Sequence, residues 1–177
     1  MTLKSESGEW YTPIGTTFVD MCNRYGFIPM LDVAGTPNHN MSPYINFYYD
    51  KKSDSLSQDW TIMIKDRNRS SKVRSYYIEQ APPGIWMNCP TANQQEFLYK
   101  LREQWLKLGF SAIVILPVNV MSSDGWWDNI ENPKDAGEPI TYKPLYHRVP
   151  FLFMGEKDSS ARNAYISVHF KYRPKVS

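Results

Sequence analysis

Apolar positions recur along the chain with two periods. At period two, Asn163-Ala-Tyr-Ile-Ser-Val-His-Phe-Lys-Tyr-Arg-Pro-Lys175 puts Ile166, Val168, Phe170 and Tyr172 on one face and Ser167, His169, Lys171 and Arg173 on the other. That alternation predicts an antiparallel strand with one buried and one wet face, a strand needed to complete a sheet. At helical period, Phe97, Leu98, Leu101, Trp105 and Leu108 form one stripe at i, i+1, i+4, i+8 and i+11, which predicts a helix from about Asn93 to Leu108. Thr91 and Gln94 stand ahead of it at capping-box spacing, and Gly109 is the expected C-terminal cap. Phe110 to Leu116 follows almost without a polar residue and reads as a central strand buried on both faces.

Elsewhere the pattern is shorter. Thr16 or Thr17 starts a helix through Phe18, Val19, Cys22 and Tyr25 that Gly26 closes. Phe27 to Val33 reads as extended, with Pro29 placing it at a sheet edge, and Ala34 to Pro43 as a loop. Tyr44 to Tyr49 and Trp60 to Lys65 read as the strands of a long hairpin around the polar turn Asp50 to Asp59. Val73 to Gln80 is a further extended segment, broken by Ala81-Pro-Pro-Gly84. Periodicity lapses from Val118 to Val149, where Gly125-Trp-Trp-Asp128 is followed by Pro133, Pro139 and Pro144. A loop of that length inside a domain is commonly functional or ordered by a partner. Pro150 to Met154 resumes a strand, and the polar turn Gly155 to Arg162 leads into the final one.

These elements predict an α+β fold: a mostly antiparallel sheet with two helices packed on it, plus a long irregular loop at about 118–149. Residues 1–15 read as an N-terminal arm and 16–177 as a single domain. Twelve Tyr, eight Phe and six Trp exceed what a core of this size uses. The surplus belongs either at an interface or on a Tyr-rich exposed sheet face. No stretch approaches the roughly 20 apolar residues of a membrane span, and the N-terminus lacks a signal-peptide core, so the expectation is a soluble protein made in the cytoplasm with no membrane partner. A net charge of +2 is too small for wholesale nucleic-acid packaging. Cys22 and Cys89 stand alone, as reduced thiols do.

Candidate chemistry is sparse. His39, with Asp32 nearby in sequence, is a general-base pair of the kind a small enzyme uses, but no nucleophile with a motif partner accompanies it, and an ordinary loop histidine explains it as well. His147 and His169 add no metal-ligand spacing, and the glycines are singletons in turns rather than a phosphate cradle. No catalytic residue, cofactor or metal is expected. Lys65, Arg67, Arg69, Lys72 and Arg74 form the densest basic run. They are candidate contacts for nucleic acid, with Tyr76, Tyr77 and Trp86 near enough in sequence to stack bases; a solvated turn is the plainer reading. Trp126 and Trp127 are the sharpest interaction signal: either they anchor a protein interface, or their loop folds back and both rings plug the core. Trp10 and Tyr11, in the arm, are further interface candidates.

The order of elements resembles the small α+β proteins at the head-to-tail junction of bacteriophages, the tail terminators and tail-completion proteins. The likeness lies in the short first helix, the edge strands, the amphipathic helix 93–108, the buried strand, the long loop and the closing Pro150-Phe-Leu-Phe-Met-Gly-Glu-Lys-Asp-Ser-Ser-Ala-Arg-Asn-Ala-Tyr-Ile-Ser-Val-His-Phe-Lys-Tyr-Arg-Pro174. What the resemblance implies is a non-enzymatic virion subunit, assembled in the host cytoplasm, that forms a homo-oligomeric ring with other structural proteins as neighbours and meets DNA non-specifically. A nucleic-acid-binding accessory protein using residues 65–74, a small enzyme around His39 and Asp32, and a viral coat subunit are the other readings.

Overall fold

We describe the protein from a computed structural model covering residues 10–12, 17–35, 45, 47–50, 52–65, 84–145, 149, 152–153, 156–157 and 164–173. The fold is α+β. Among the described residues nine strands form two sheets: β1 (Trp10–Tyr11), β2 (Leu31–Asp32), β3 (Phe47–Tyr48), β4 (Gly84–Met87), β5 (Ser111–Pro117), β6 (Ile140–Pro144), β7 (Leu152–Phe153), β8 (Glu156–Lys157) and β9 (Tyr165–Phe170). A small antiparallel sheet has the order β1-β7-β8, and the main sheet has the order β3-β2-β4-β5-β9-β6. In the main sheet β3, β2, β4 and β5 run parallel, and β9 lies antiparallel between β5 and β6. Among the described residues, no helix is long and apolar enough to cross a membrane.

The main sheet is covered on both faces. On one side lies α3 (Gln94–Leu108), whose Phe97, Leu98, Leu101 and Trp105 pack against Ile85, Met87, Val114, Val168 and Phe170. On the other lies α1 (Val19–Tyr25), where Phe18, Met21 and Cys22 meet Trp86, Ile113 and Ile115. All seven residues of β5 are buried, as their unbroken apolar run predicts. Both helices end as their sequences predict, on Gly26 and Gly109, each at φ 74°. A 3₁₀ turn, Thr91–Asn93, leads into α3, and Asn93 at its N-cap makes no side-chain cap bond.

Tertiary pairing, not local pattern, decides the position of β9. It is inserted between β5 and β6, paired with β5 from Tyr165 to Phe170 and with β6 from Ile166 to Phe170. Within β9 the face expected to be wet is buried, with Ser167 0% and His169 8% exposed; beyond the strand Lys171 and Arg173 are exposed as expected, and so is Tyr172, expected on the buried face. Tyr25 Oη lies 2.7 Å from Ser167 Oγ, and the rings of Tyr25 and Phe27 lie 4.5 and 5.5 Å from that of His169. Polar residues there read as solvent-facing because their partners come from a helix some 140 positions earlier.

Four further expectations are corrected. Trp60–Lys65 is a helix, α2, not a strand. The carboxylate of Asp59 accepts from the Thr61 N–H at 2.9 Å, an N-cap bond, while Trp60 is fully buried, donates to Ser55 O at 2.8 Å and stacks on Phe97. Cap and burial override the β-branched composition. Consequently there is no 44–65 hairpin, and β3 pairs parallel to β2. Pro29 does not mark an edge, because it precedes the two-residue β2, which has a neighbour on each side.

Of the stretch 118–149, the described residues 118–145 are no irregular loop. Val118–Ser122 is a 3₁₀ turn, followed by α4 (Asp124–Trp126), a π-turn (Trp127–Glu131), α5 (Asn132–Asp135) and then β6. Ser123 caps α4 by accepting from Trp126 N–H, and Asn129 Nδ2 donates to Gly125 O at 2.8 Å. Turns this short carry no readable period. Val73 to Gln80 lies outside the described residues; of the turn expected from Gly155 to Arg162, the described part, Glu156–Lys157, is strand β8 paired with β7.

Candidate functional site

Two places bring together residues with chemistry to offer. The first is where β2 and β4 lie side by side. The chain leaves β2 toward β3, with Ile45 packing on the α1 side, and leaves β4 through α3, on the opposite face, toward β5. Such divergence at the carboxyl ends of adjacent parallel strands is where open α/β sheets place ligands. Asp32 ends β2 there, in a register row that crosses the whole sheet: Tyr48, Asp32, Trp86, Ile113, His169, Thr141.

Asp32 is 3% exposed, and burial pushes its carboxyl up to about 7, although the Ala34 N–H, 3.0 Å from Oδ1, pulls the other way. Burial, with a smaller contribution from Lys171, brings His169 down to about 4. Burial thus favours the neutral form of both groups.

Their effects on stability oppose each other. Asp32, raised in the folded state, contributes most below its unfolded value of 3.8 and loses that contribution as pH rises toward 7. His169, lowered in the folded state, contributes fully above 6.5 and loses it as pH falls toward 4. Between about pH 4 and 6.5 the two slopes, each up to about 1.4 kcal/mol per pH unit, cancel. Relative to the wild type, Asp32→Asn is expected to gain stability as pH rises through this window and His169→Gln to lose it. Urea unfolding at half-unit pH steps measures both, and two profiles parallel to the wild type would refute the opposition.

The second place is the outer side of α3, where the 118–135 segment packs. Gly125 sits over Gln95, where an added Cβ would lie 3.1 Å from Gln95 Cγ, so α4 approaches α3 closely. The adjacent tryptophans divide. Trp126 is 1% exposed and meets the Tyr142 ring edge-on at 5.0 Å, whereas Trp127 is 48% exposed. A helical step rotates successive side chains by about 100°, which is why one ring goes in and the next comes out. Trp126 is thus core, correcting the interface expectation for it.

Tyr99 is 45% exposed on α3 and donates at 2.5 Å to Oδ2 of Asp128, the residue after Trp127. That bond, with the charges of Asp128 and Asp124, raises the Tyr99 phenol. Arg102 holds Glu138 in a two-pronged ion pair and lies over Trp105, fixing the entry to β6 against α3.

The other sequence candidates are scattered. Trp10 and Tyr11 form β1, paired with β7. Lys65 ends α2, while Arg67, Arg69, Lys72 and Arg74 lie outside the described residues, as do His39 and His147. Trp86, considered for base stacking, is fully buried under Phe18 and does not serve that role. Cys22 and Cys89 are free and buried, with both thiols raised to about 12, chiefly by burial. Among the described residues no group of three His, Cys, Asp or Glu could hold a metal ion. The Tyr99–Asp128 contact was not foreseen. Its one sequence signal is an aromatic residue off the apolar stripe of a helix. Compared with protein-family models, with curated proteins and with solved structures, the chain matches none.

Proposed function

We propose that the chain is a non-enzymatic structural subunit that associates with further copies of itself into a closed ring, in the manner of the phage head-to-tail junction proteins its element order resembles, and that it belongs to a virion assembled in the host cytoplasm. The observation that carries this reading is Trp127. A large aromatic ring stands 48% exposed on a helical segment whose neighbouring Trp126 is buried, so the exposure is built in rather than left by poor packing. Exposed tryptophan is uncommon unless a partner covers it, and it is among the residues that dominate interface energetics. Tyr99, also exposed, is bonded to Asp128, the residue after Trp127. Contacts between two unlike faces, repeated until they close, generate rings. Other structural proteins would meet the ring, and non-specific contact with DNA belongs to the same reading.

Trp127→Ala is expected to leave thermal stability within about 0.5 kcal/mol of the wild type, as a surface change does, and to lower the mass in solution to that of the monomer. Trp126→Ala is the contrast: losing a buried indole costs about 3–5 kcal/mol. Light scattering with calorimetry reads both. A Trp127→Ala protein that assembles as the wild type does overturns the reading.

A further inference from the structure

We infer that the surface around Tyr99 and Trp127 receives the basic run at residues 65–74 of a second copy of this chain. The inference rests on the ring reading above and assigns the two unlike faces that it requires. The charges point to the occupant. Three exposed acids lie around Tyr99: Asp128 accepts from its hydroxyl, the charge of Asp124 acts on it, and Glu96 stands three residues before it on α3; none of them forms an ion pair among the described residues. Nearby acids behave otherwise: Glu103 is paired with Lys107, Glu138 with Arg102, and Glu131 and Asp135 with Lys134. Carboxylates left unpaired beside exposed rings suit a cationic, arginine-bearing partner.

The chain itself carries such a segment. Lys65-Asp-Arg-Asn-Arg-Ser-Ser-Lys-Val-Arg74 has five cations and one acid, a net +4. Taking that from the chain's +2 leaves −2, so the molecule is polarised between this run and the remainder. Arginine suits the surface twice over, binding carboxylates through its planar fork and stacking on indole and phenol rings. Because run and surface are different parts of one chain, repeating the contact head-to-tail from copy to copy closes a ring of the kind proposed above.

Charge reversal tests this. Asp124→Lys with Asp128→Lys reverses the surface, and Arg67→Glu with Arg69→Glu and Lys72→Glu takes the run from +4 to −2. Each variant alone is expected to weaken self-association at least tenfold by light scattering, with its circular dichroism and melting unchanged. An equimolar mixture is expected to recover assembly, because the basic surface then meets the acidic run and the acidic surface meets the basic one. If the wild type assembles and both variants do too, the inference falls while the ring reading stands. Two folded variants that stay apart when mixed also overturn it. So does a run variant that assembles normally but loses retention on DNA, which would give the run to nucleic acid instead. A wild type that never assembles removes the ring reading itself.

Discussion

Ending the chain after Ala164 is expected to give no soluble folded protein. The segment removed holds β9, which is interior to the main sheet rather than an addition at its edge. Its loss takes away six register partners of β5 and five of β6. Ile166, Val168 and Phe170 are all at most 3% exposed. At about 2 kcal/mol each, their burial is worth about 6 kcal/mol, comparable with the whole net stability of many domains. The orphaned groups add to this. Val118 N–H bonds Ala164 O at 2.9 Å, but Leu145 N–H loses Tyr165 O, and each buried polar group left unpaired costs about 1–3 kcal/mol. The Trp105 indole also loses its acceptor, Lys171 O, at 3.1 Å, and its edge contact with Phe170. Soluble yield and circular dichroism are the measurements. A monodisperse truncated chain that melts cooperatively would contradict the topology.

Gly109→Ala is expected to cost about 3 kcal/mol or more, the second large effect. Gly109 ends α3 at φ 74°, and an alanine there carries about 1–2 kcal/mol of left-handed strain. A Cβ built at this position falls 1.8 Å from Arg173 O. Arg173 must therefore move, and with it the bond from its N–H to Gly109 O at 2.8 Å, which ties the residues after β9 to the end of α3. For a chain of this size the melting temperature should drop by roughly 6–12 °C. Gly26→Ala separates the two causes. Its φ is also 74°, but a Cβ there meets nothing within 4 Å, so strain alone remains and the loss should be about 1 kcal/mol. Equal losses at the two glycines would show that the approach of Arg173 carries no energy.

The same residues show what the sequence makes legible. The α3 stripe, the buried run of β5 and both glycine caps are local signals, and each lies where its pattern places it. The inward face of β9 is equally plain. Its other face is not, because the covering groups, Tyr25 and Phe27, are remote in sequence and Ser167 and His169 look fit for solvent. The α2 segment reads as a strand because Trp60, Thr61, Ile62 and Ile64 favour one; the Asp59 cap and the Trp60–Phe97 stack turn it into a helix. The 118–135 segment is built of turns too short for any period to register. For the candidate surface, the Trp126-Trp127 pair is conspicuous in sequence, but which ring faces outward depends on helical phase within a segment that does not read as helical. Tyr99 and Asp128, 29 positions apart, meet only through the packing of α4 on α3.

The mass of the intact chain in solution, followed by light scattering over a wide range of concentrations, tests the proposed assembly most directly. A discrete multiple of the 20.7 kDa protomer is expected, reached as concentration rises and lost on reversing the charges of Asp124 and Asp128. A value of 20.7 kDa at every concentration would contradict it.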